Sequence, residues 1–446
     1  MAEAERTDAQ AAAGADLTAV PDVVAEVPPE IVAQSLGEYV RGWTARIRAG
    51  ESGVLPVVVA MIAIAIVFEA LQPKFLSPGN LVNLFQQSAV FMVLAMAEAF
   101  ALVLGEIDLS VGFVGGCGAA ITVQLVQPLT FNWPWWAAVI VGLGFCAAFG
   151  AVQGILITQL RLPSFIVTLA GLLVANGLFL SILLINEKQF SGYPSLVGTS
   201  VNLEILYNLM WGNLDPVASW VVAAVAVAGL GALIFFSDQR RRTSGLVAPP
   251  LSLSLIKIGI IAAVAVAVVA ICDVNRANLG TLEGVPWAIP IVMAVLALWT
   301  IVFQRTQYGR YLYAIGGNPE AARRAGINLA LIRTTGFALC SLTAGIAILL
   351  YASLLNGMNN NFRGNEYVLY AVAAAVIGGT SLFGGRGKPL HGVLGGLVIG
   401  GIYNGTFLLG LEVQWEFIIT GLVLLAAVTI DSLSRRGSTS GSVTRV

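Results

Sequence analysis

Glu106 and Asp108 stand two residues apart in the run Glu106-Ile107-Asp108-Leu109-Ser110-Val111-Gly112. Two convergent carboxylates can hold a metal or divide acid and base work between them. On a helix, residues i and i+2 do not share a face, so this pair is poorly arranged for either task. The alternative is structural: a helix start favours nearby carboxylates, and Asp108 or Ser110 can cap one. The stretch from Gly378 to Lys388, Gly-Gly-Thr-Ser-Leu-Phe-Gly-Gly-Arg-Gly-Lys, invites a phosphate-loop reading. That reading fails, because Pro389 follows the lysine and no glycine stands five residues before Gly387. A tight turn between spans, in which backbones approach closely, fits the run better. His391 is the only histidine, so His-based catalysis and metal binding have almost no material. Cys117, Cys146, Cys272 and Cys340 lie in or beside apolar runs without ligand-like spacing, and read as small buried hydrophobes. Glu98 is a lone charge inside an apolar run. An ionised carboxylate at membrane depth is costly, so Glu98 either lines a polar path or sits neutral or hydrogen-bonded at a helix interface. No nucleophile–base pair and no metal-ligand set emerges, and the chain does not read as an enzyme.

The elements that must position these groups are built for lipid. Of 446 residues, 57% are hydrophobic and 11% charged, against about 25% charged in a soluble domain. The net charge of −1 argues against a nucleic-acid partner. Residues 1–50 contain no sustained apolar run and no signal-peptide pattern. They predict a disordered cytoplasmic tail to about Pro28, followed by a surface helix bearing Arg41, Trp43, Arg46 and Arg48.

Apolar runs able to cross ~30 Å of hydrocarbon follow. They fall near 54–71, 82–104, 109–126, 135–158, 163–185, 217–236, 253–272, 286–303, 331–352, 367–380, 390–410 and 414–431. That predicts an all-α polytopic bundle of roughly twelve transmembrane helices, those at 109–126 and 367–380 being short or Gly-interrupted. Gly392, Gly396 and Gly400, and separately Gly401 and Gly405, form small-residue faces for close helix packing. With both termini cytoplasmic, only Lys74, Lys188, Arg276 and Arg363, four of 23 cations, fall outside. The inverse topology would place nearly all the positive charge on the wrong side. The longest external connection, Asn186–Pro216, is either a docking surface for an external partner or an unspecialised loop.

Gln304 to Ala330 is the longest polar segment in the C-terminal half, and the charge rule makes it cytoplasmic. It predicts a short helix: Asn318 as cap, Pro319 at the first position, Glu320 at the positive end, and Arg323 and Arg324 at the negative end. Gly326 supplies the left-handed stop. About two turns are too few to stand alone in water, so the helix must dock on something. Its arginines can pair with carboxylates of a partner, while Ala321, Ala322 and Ala325 allow close packing in a groove. The bland alternative is a capped surface turn.

The wording of this stretch, GRYLYAIGGNPEAARRAGI, resembles the cytoplasmic coupling loop of bacterial ABC-type sugar import permeases of the ribose/xylose/galactose group. EIDLSVG at 106–112, LPSFIVTLAG at 162–171 and GGTSLFGGRG at 378–387 also resemble that family, the second being similar to the xylose-type members in particular. The resemblance covers about residues 54–436, including the extra pair of spans near 217–236 and 253–272. It implies a type II ABC importer permease fold in the bacterial cytoplasmic membrane. The organisation is then a tail at 1–50, spans within 51–303, a coupling loop at 304–330, spans within 331–433 and a tail at 434–446. In that loop Gly316, Gly317, Asn318, Pro319, Glu320, Ala321, Ala322, Arg323, Arg324 and Gly326 would contact a separate ATPase subunit. The resemblance further implies a second permease copy and an external sugar-binding protein. No cofactor would be bound by this chain, ATP and Mg being used by the partner. A neutral, many-hydroxyl substrate needs polar, uncharged lining, for which Gln86, Gln87, Ser164, Thr168, Asn176 and Asn404 are the candidates. The sequence departs from the family pattern at Glu98, usually apolar, and at Asn176, where many relatives carry arginine. It departs again at Glu366-Tyr367-Val368-Leu369, in place of Glu-Leu-Asp-Ala.

Overall fold

The computed structural model describes residues 54–128, 131–190, 194–245, 249–277 and 280–440, with five residues between 37 and 44. The expected N-terminal tail and surface helix lie essentially outside the described residues, as do 441–446.

Regular structure among the described residues is helical, with no named strand. The first part of the chain forms α1 (Leu55–Leu71), α2 (Pro78–Val103), α3 (Val111–Val126), α4 (Trp135–Gln159) and α5 (Ser164–Phe190). A short α6 (Val201–Trp211) precedes α7 (Pro216–Thr243), α8 (Leu251–Cys272) and α9 (Ala288–Arg305). Two short helices, α10 (Gln307–Gly317) and α11 (Pro319–Arg324), lead into α12 (Leu329–Leu354). The last three are α13 (Gly364–Ile377), α14 (Pro389–Leu408) and α15 (Val413–Ser440). Proline opens α1, α2, α11 and α14, where its missing N–H leaves no bond unmade.

A helix occupies every expected span, and among the described residues seven of them are long and apolar enough to cross a membrane: α2, α4, α5, α7, α8, α9 and α12. Sequence reasoning missed α6 and α10. Three glycines in α10 lower its helix propensity, and it holds only because Gly309, Leu312 and Ile315 bury one face.

Two compact units divide the chain. The smaller includes Val227–Ala262, the halves of α7 and α8 nearest their connection. There Ser254 Oγ donates to Asp238 Oδ2 (2.6 Å) and Arg242 to the Pro249 carbonyl (2.7 Å).

The larger unit, Ile47–Ala226 with Ala263–Val446, is organised around α2. The apolar window of α2 is 94% buried, whereas those of α7 and α8 are 11% buried. Helices α9, α12, α13 and α14 pack on α2. The expected small-residue faces are both used, on opposite partners. A Cβ on Gly396 would lie 2.5 Å from the Met92 backbone of α2, and one on Gly405 would meet the Phe68 ring of α1 at 2.6 Å. Backbones that close gain dispersion contact that lipid cannot replace.

Within this unit the polar connections sort to two ends. At one end Gln86 bonds the Met210 carbonyl, Asn80 bonds Asn404, and Leu214 N donates to Val285 O. At the other, Gly385 N donates to Val103 O, Tyr313 to Gly387 O, and Glu106 pairs with Arg333.

Candidate functional site

The polar segment after α9 is a built structure. Thr306 caps α10 by accepting from Gly309 N at 3.2 Å. Asn318 closes α10 and caps α11, its Oδ1 accepting from Ala321 N at 2.9 Å. Gly326 adopts φ +82°, with Gly326 N donating to Arg323 O and Ile327 N to Ala322 O. Those two bonds form the Schellman stop that only a left-handed residue allows. Asn328 then caps α12 through Leu331 N. Glu320 meets Arg323 and Arg324 at 3.6 Å each, all three side chains well exposed, so these pairs add little stability. One expectation changes: Ala322 is buried in this chain, while Ala321 and Ala325 are exposed. The exposed side of α11 therefore carries Ala321, Ala325 and the arginines, and Ala322 packs against its own protein.

Behind this helix lies a junction of glycine backbones. A Cβ on Gly316 would sit 1.7 Å from Val103 O and 2.6 Å from Gly385 N. Gly384 and Gly385, both at positive φ, pack on Gly105, Gly316 and Gly317 in the same way. The bond from Gly385 N to Val103 O (2.9 Å) ties the loop before α14 to the end of α2. Burial pushes the Tyr313 hydroxyl up to about 12, so it donates at neutral pH, and it does so to Gly387 O at 2.6 Å. Backbone of α10 and of the loop before α14 thus lies directly against the end of α2.

The carboxylates lie in the connection between α2 and α3, not on a helix, so the helix-face argument does not apply, and they diverge through different partners. Glu106 pairs with Arg333 of α12 at 3.4 Å. Asp108 Oδ1 accepts from Ser110 N (2.9 Å) and Ser110 Oγ (2.6 Å), and Ser110 continues to Gln153 of α4. Asp108 thus braces the entry to α3 as a turn, while Ser110, at the cap position, makes no capping bond. Glu98 is fully buried, and neither oxygen has a hydrogen bond of normal geometry among the described residues. A sealed anion without a counter-ion would cost several kcal/mol, so the neutral acid fits this interface. Among the described residues no group of His, Cys, Asp and Glu could hold a metal ion.

The six polar pathway candidates separate by place. Gln86 is buried and ties α2 to the end of α6; Thr168 is buried and bonds Ser164 O and Ile107 O. Those two are packing ties. Ser164 and Asn176 lie on α5 and are half-buried, Ser164 giving its carbonyl to the Thr168 hydroxyl. Gln87 and Asn404 come together: Asn404 Nδ2 donates to Gln87 Oε1 at 3.0 Å, and Asn80 bonds Asn404 at 2.8 Å. Gln87 lines a small cavity whose remaining wall includes Phe91, Tyr351, Tyr367 and Tyr403. The rings form one cluster, Tyr351–Tyr367 at 4.9 Å and Phe91–Tyr403 at 5.8 Å. Sequence reasoning missed these tyrosines, although three hydroxyl-bearing rings inside apolar spans are a legible signal. An aromatic wall with one amide edge suits a neutral ligand with both apolar faces and hydroxyls.

The family model for the branched-chain amino acid transport system / permease component matches residues 80–428. The xylose transport system permease protein of Escherichia coli (strain K12) is 31% identical over 391 residues, 86% of this chain and 93% of the relative. Its counterpart in Haemophilus influenzae is 30% identical, covering 86% and 97%. The ribose import permease protein of Bacillus subtilis (strain 168) is 28% identical, covering 83% and 90%. No solved structure gives a significant match.

Proposed function

The chain belongs to the family of the branched-chain amino acid transport system / permease component, and on that premise we propose that it is the membrane-spanning subunit of an ATP-driven monosaccharide importer, with D-xylose the first substrate. It performs no covalent chemistry. Roughly twelve spans, arranged within 51–303 and 331–433, cross the bacterial cytoplasmic membrane with both termini inside, in keeping with the cation bias. Two copies pair with two ATPase subunits, which use ATP and Mg, and sugar arrives from an external binding protein. The segment 304–330 receives the ATPase. The observation that carries this reading is α11: exposed apart from Ala322, capped at both ends, and preceded directly by α10, whose Gly316 lies against Val103 O at the end of α2. Sugar passes the aromatic cavity, where Tyr351, Tyr367 and Tyr403 offer ring faces and Gln87 an amide.

The test is uptake into proteoliposomes with and without the ATPase subunit, offering D-xylose, ribose, galactose, arabinose and leucine. We expect uptake only with ATPase and ATP, xylose leading. Leucine uptake alone would remove the sugar, and uptake driven by a proton gradient without ATPase would remove the whole reading.

Glu98 separates the same two classes. Glu98→Gln is isosteric with the neutral acid and is expected to keep uptake within about threefold, equivalent to less than ~1 kcal/mol. Its pH profile should match the parent's. Collapse of uptake, or loss of a proton-gradient dependence, would restore an ion-coupled mechanism.

A further inference from the structure

The stretch Gly378–Lys388 fails the phosphate-loop pattern, yet its fold builds a pocket with suitable chemistry. A cavity of about 560 Å³ opens between the end of α9, α10 and the start of α14. Arg310, Arg386 and Lys388 stand in its wall, and no carboxylate does. Among the described residues none of these three cations is in an ion pair. Nδ1 of His391 faces the pocket's Gly379 backbone without a hydrogen bond of normal geometry. Lys388 caps α14 and makes no side-chain capping bond, so that helix start adds its positive end.

Depth selects the ligand. Phe303 and Gln304 are among the last three residues of α9, and His391 lies in the first turn of α14. The pocket therefore sits where helices leave the apolar layer, the level of lipid headgroups. Basic pockets between spans at that level suit phosphate-bearing headgroups. Arginine can grip two phosphate oxygens at once, while lysine adds a mobile point charge. The geometry points to a phosphate-anion site, filled by the headgroup of an anionic phospholipid, that holds the α9–α10 corner against the loop before α14. This site depends on membrane insertion and not on which substrate is carried.

The experiment titrates phosphatidylglycerol into phosphatidylcholine nanodiscs holding the full chain, counting retained lipid by native mass spectrometry. Arg386→Gln with Lys388→Gln should weaken retention about 30-fold, about fivefold per cation. Arg386→Lys with Lys388→Arg should retain binding, which separates lost charge from lost fold. Arg323→Gln with Arg324→Gln, outside the pocket, should leave retention unchanged; an equal loss there would reduce the effect to general surface charge and overturn the site. Displacement of the lipid by millimolar inorganic phosphate would keep the anion site and assign it to soluble phosphate. Unchanged lipid retention in the Gln pair, with weakened ATPase co-purification, would overturn the proposal in favour of an acidic contact on the partner.

Discussion

Gly316→Ala abolishes ATP-driven uptake while the protein still reaches the membrane: this is the expected result for the residue at the centre of the glycine junction. The added Cβ would lie 1.7 Å from Val103 O and 2.6 Å from Gly385 N. Both obstacles are backbone, and cannot rotate away as a side chain would. The junction must open by more than an ångström, breaking the 2.9 Å bond between Gly385 N and Val103 O. Overpacking of this kind typically costs about 1–3 kcal/mol. That sum is small against the stability of so many packed helices, so insertion survives, but it falls on the contact between α10 and the end of α2 that the proposed coupling would use. Gly317 provides the control next door, since a Cβ there meets nothing within 4 Å. Gly317→Ala should transport near the parent rate. Equal uptake by the two variants would show that force does not pass through this junction.

Ala321→Asp is expected to remove both ATPase co-purification and uptake, with the melting temperature of the isolated permease unchanged. On the proposed reading, movement driven by another subunit enters through a protein contact, and α11, with Ala321, Arg323 and Arg324 exposed, is the helix proposed for it. Ala321 is exposed beside Arg324 and Arg323, so an aspartate there adds bulk and a negative charge without disturbing this chain's packing. Ala322→Asp is a less informative variant, because Ala322 is buried here and a carboxylate at that point also unseats α11 from its own protein. Gly326→Pro attacks the same helix from its end. Proline holds φ near −65° where the chain needs +82°, and it lacks the N–H that Gly326 donates to Arg323 O. Parent uptake by Ala321→Asp, with the ATPase still bound, would reduce α11 to a surface turn.

Sequence by itself determined what depends on neighbours along the chain. The apolar runs announced membrane helices, since run length and lipid solvation are local properties, and a helix now fills each expected range. The caps of α11 were equally legible: Asn318, Pro319 and Gly326 act within a few residues of themselves. Tertiary structure decided what depends on distant residues meeting. Six polar side chains in spans looked alike as pathway candidates, because a glutamine that ties two helices has the same local sequence as one that lines a cavity. Only packing shows that Gln86 holds α6 while Gln87, one residue on, turns to Asn404. It likewise sent Ala322 inward and brought Gly316, Gly385 and Val103 to one point. Asn80 and Asn404 are 324 residues apart and bonded at 2.8 Å. No local pattern encodes such a meeting, which is set by how α2 and α14 fit along their glycine face.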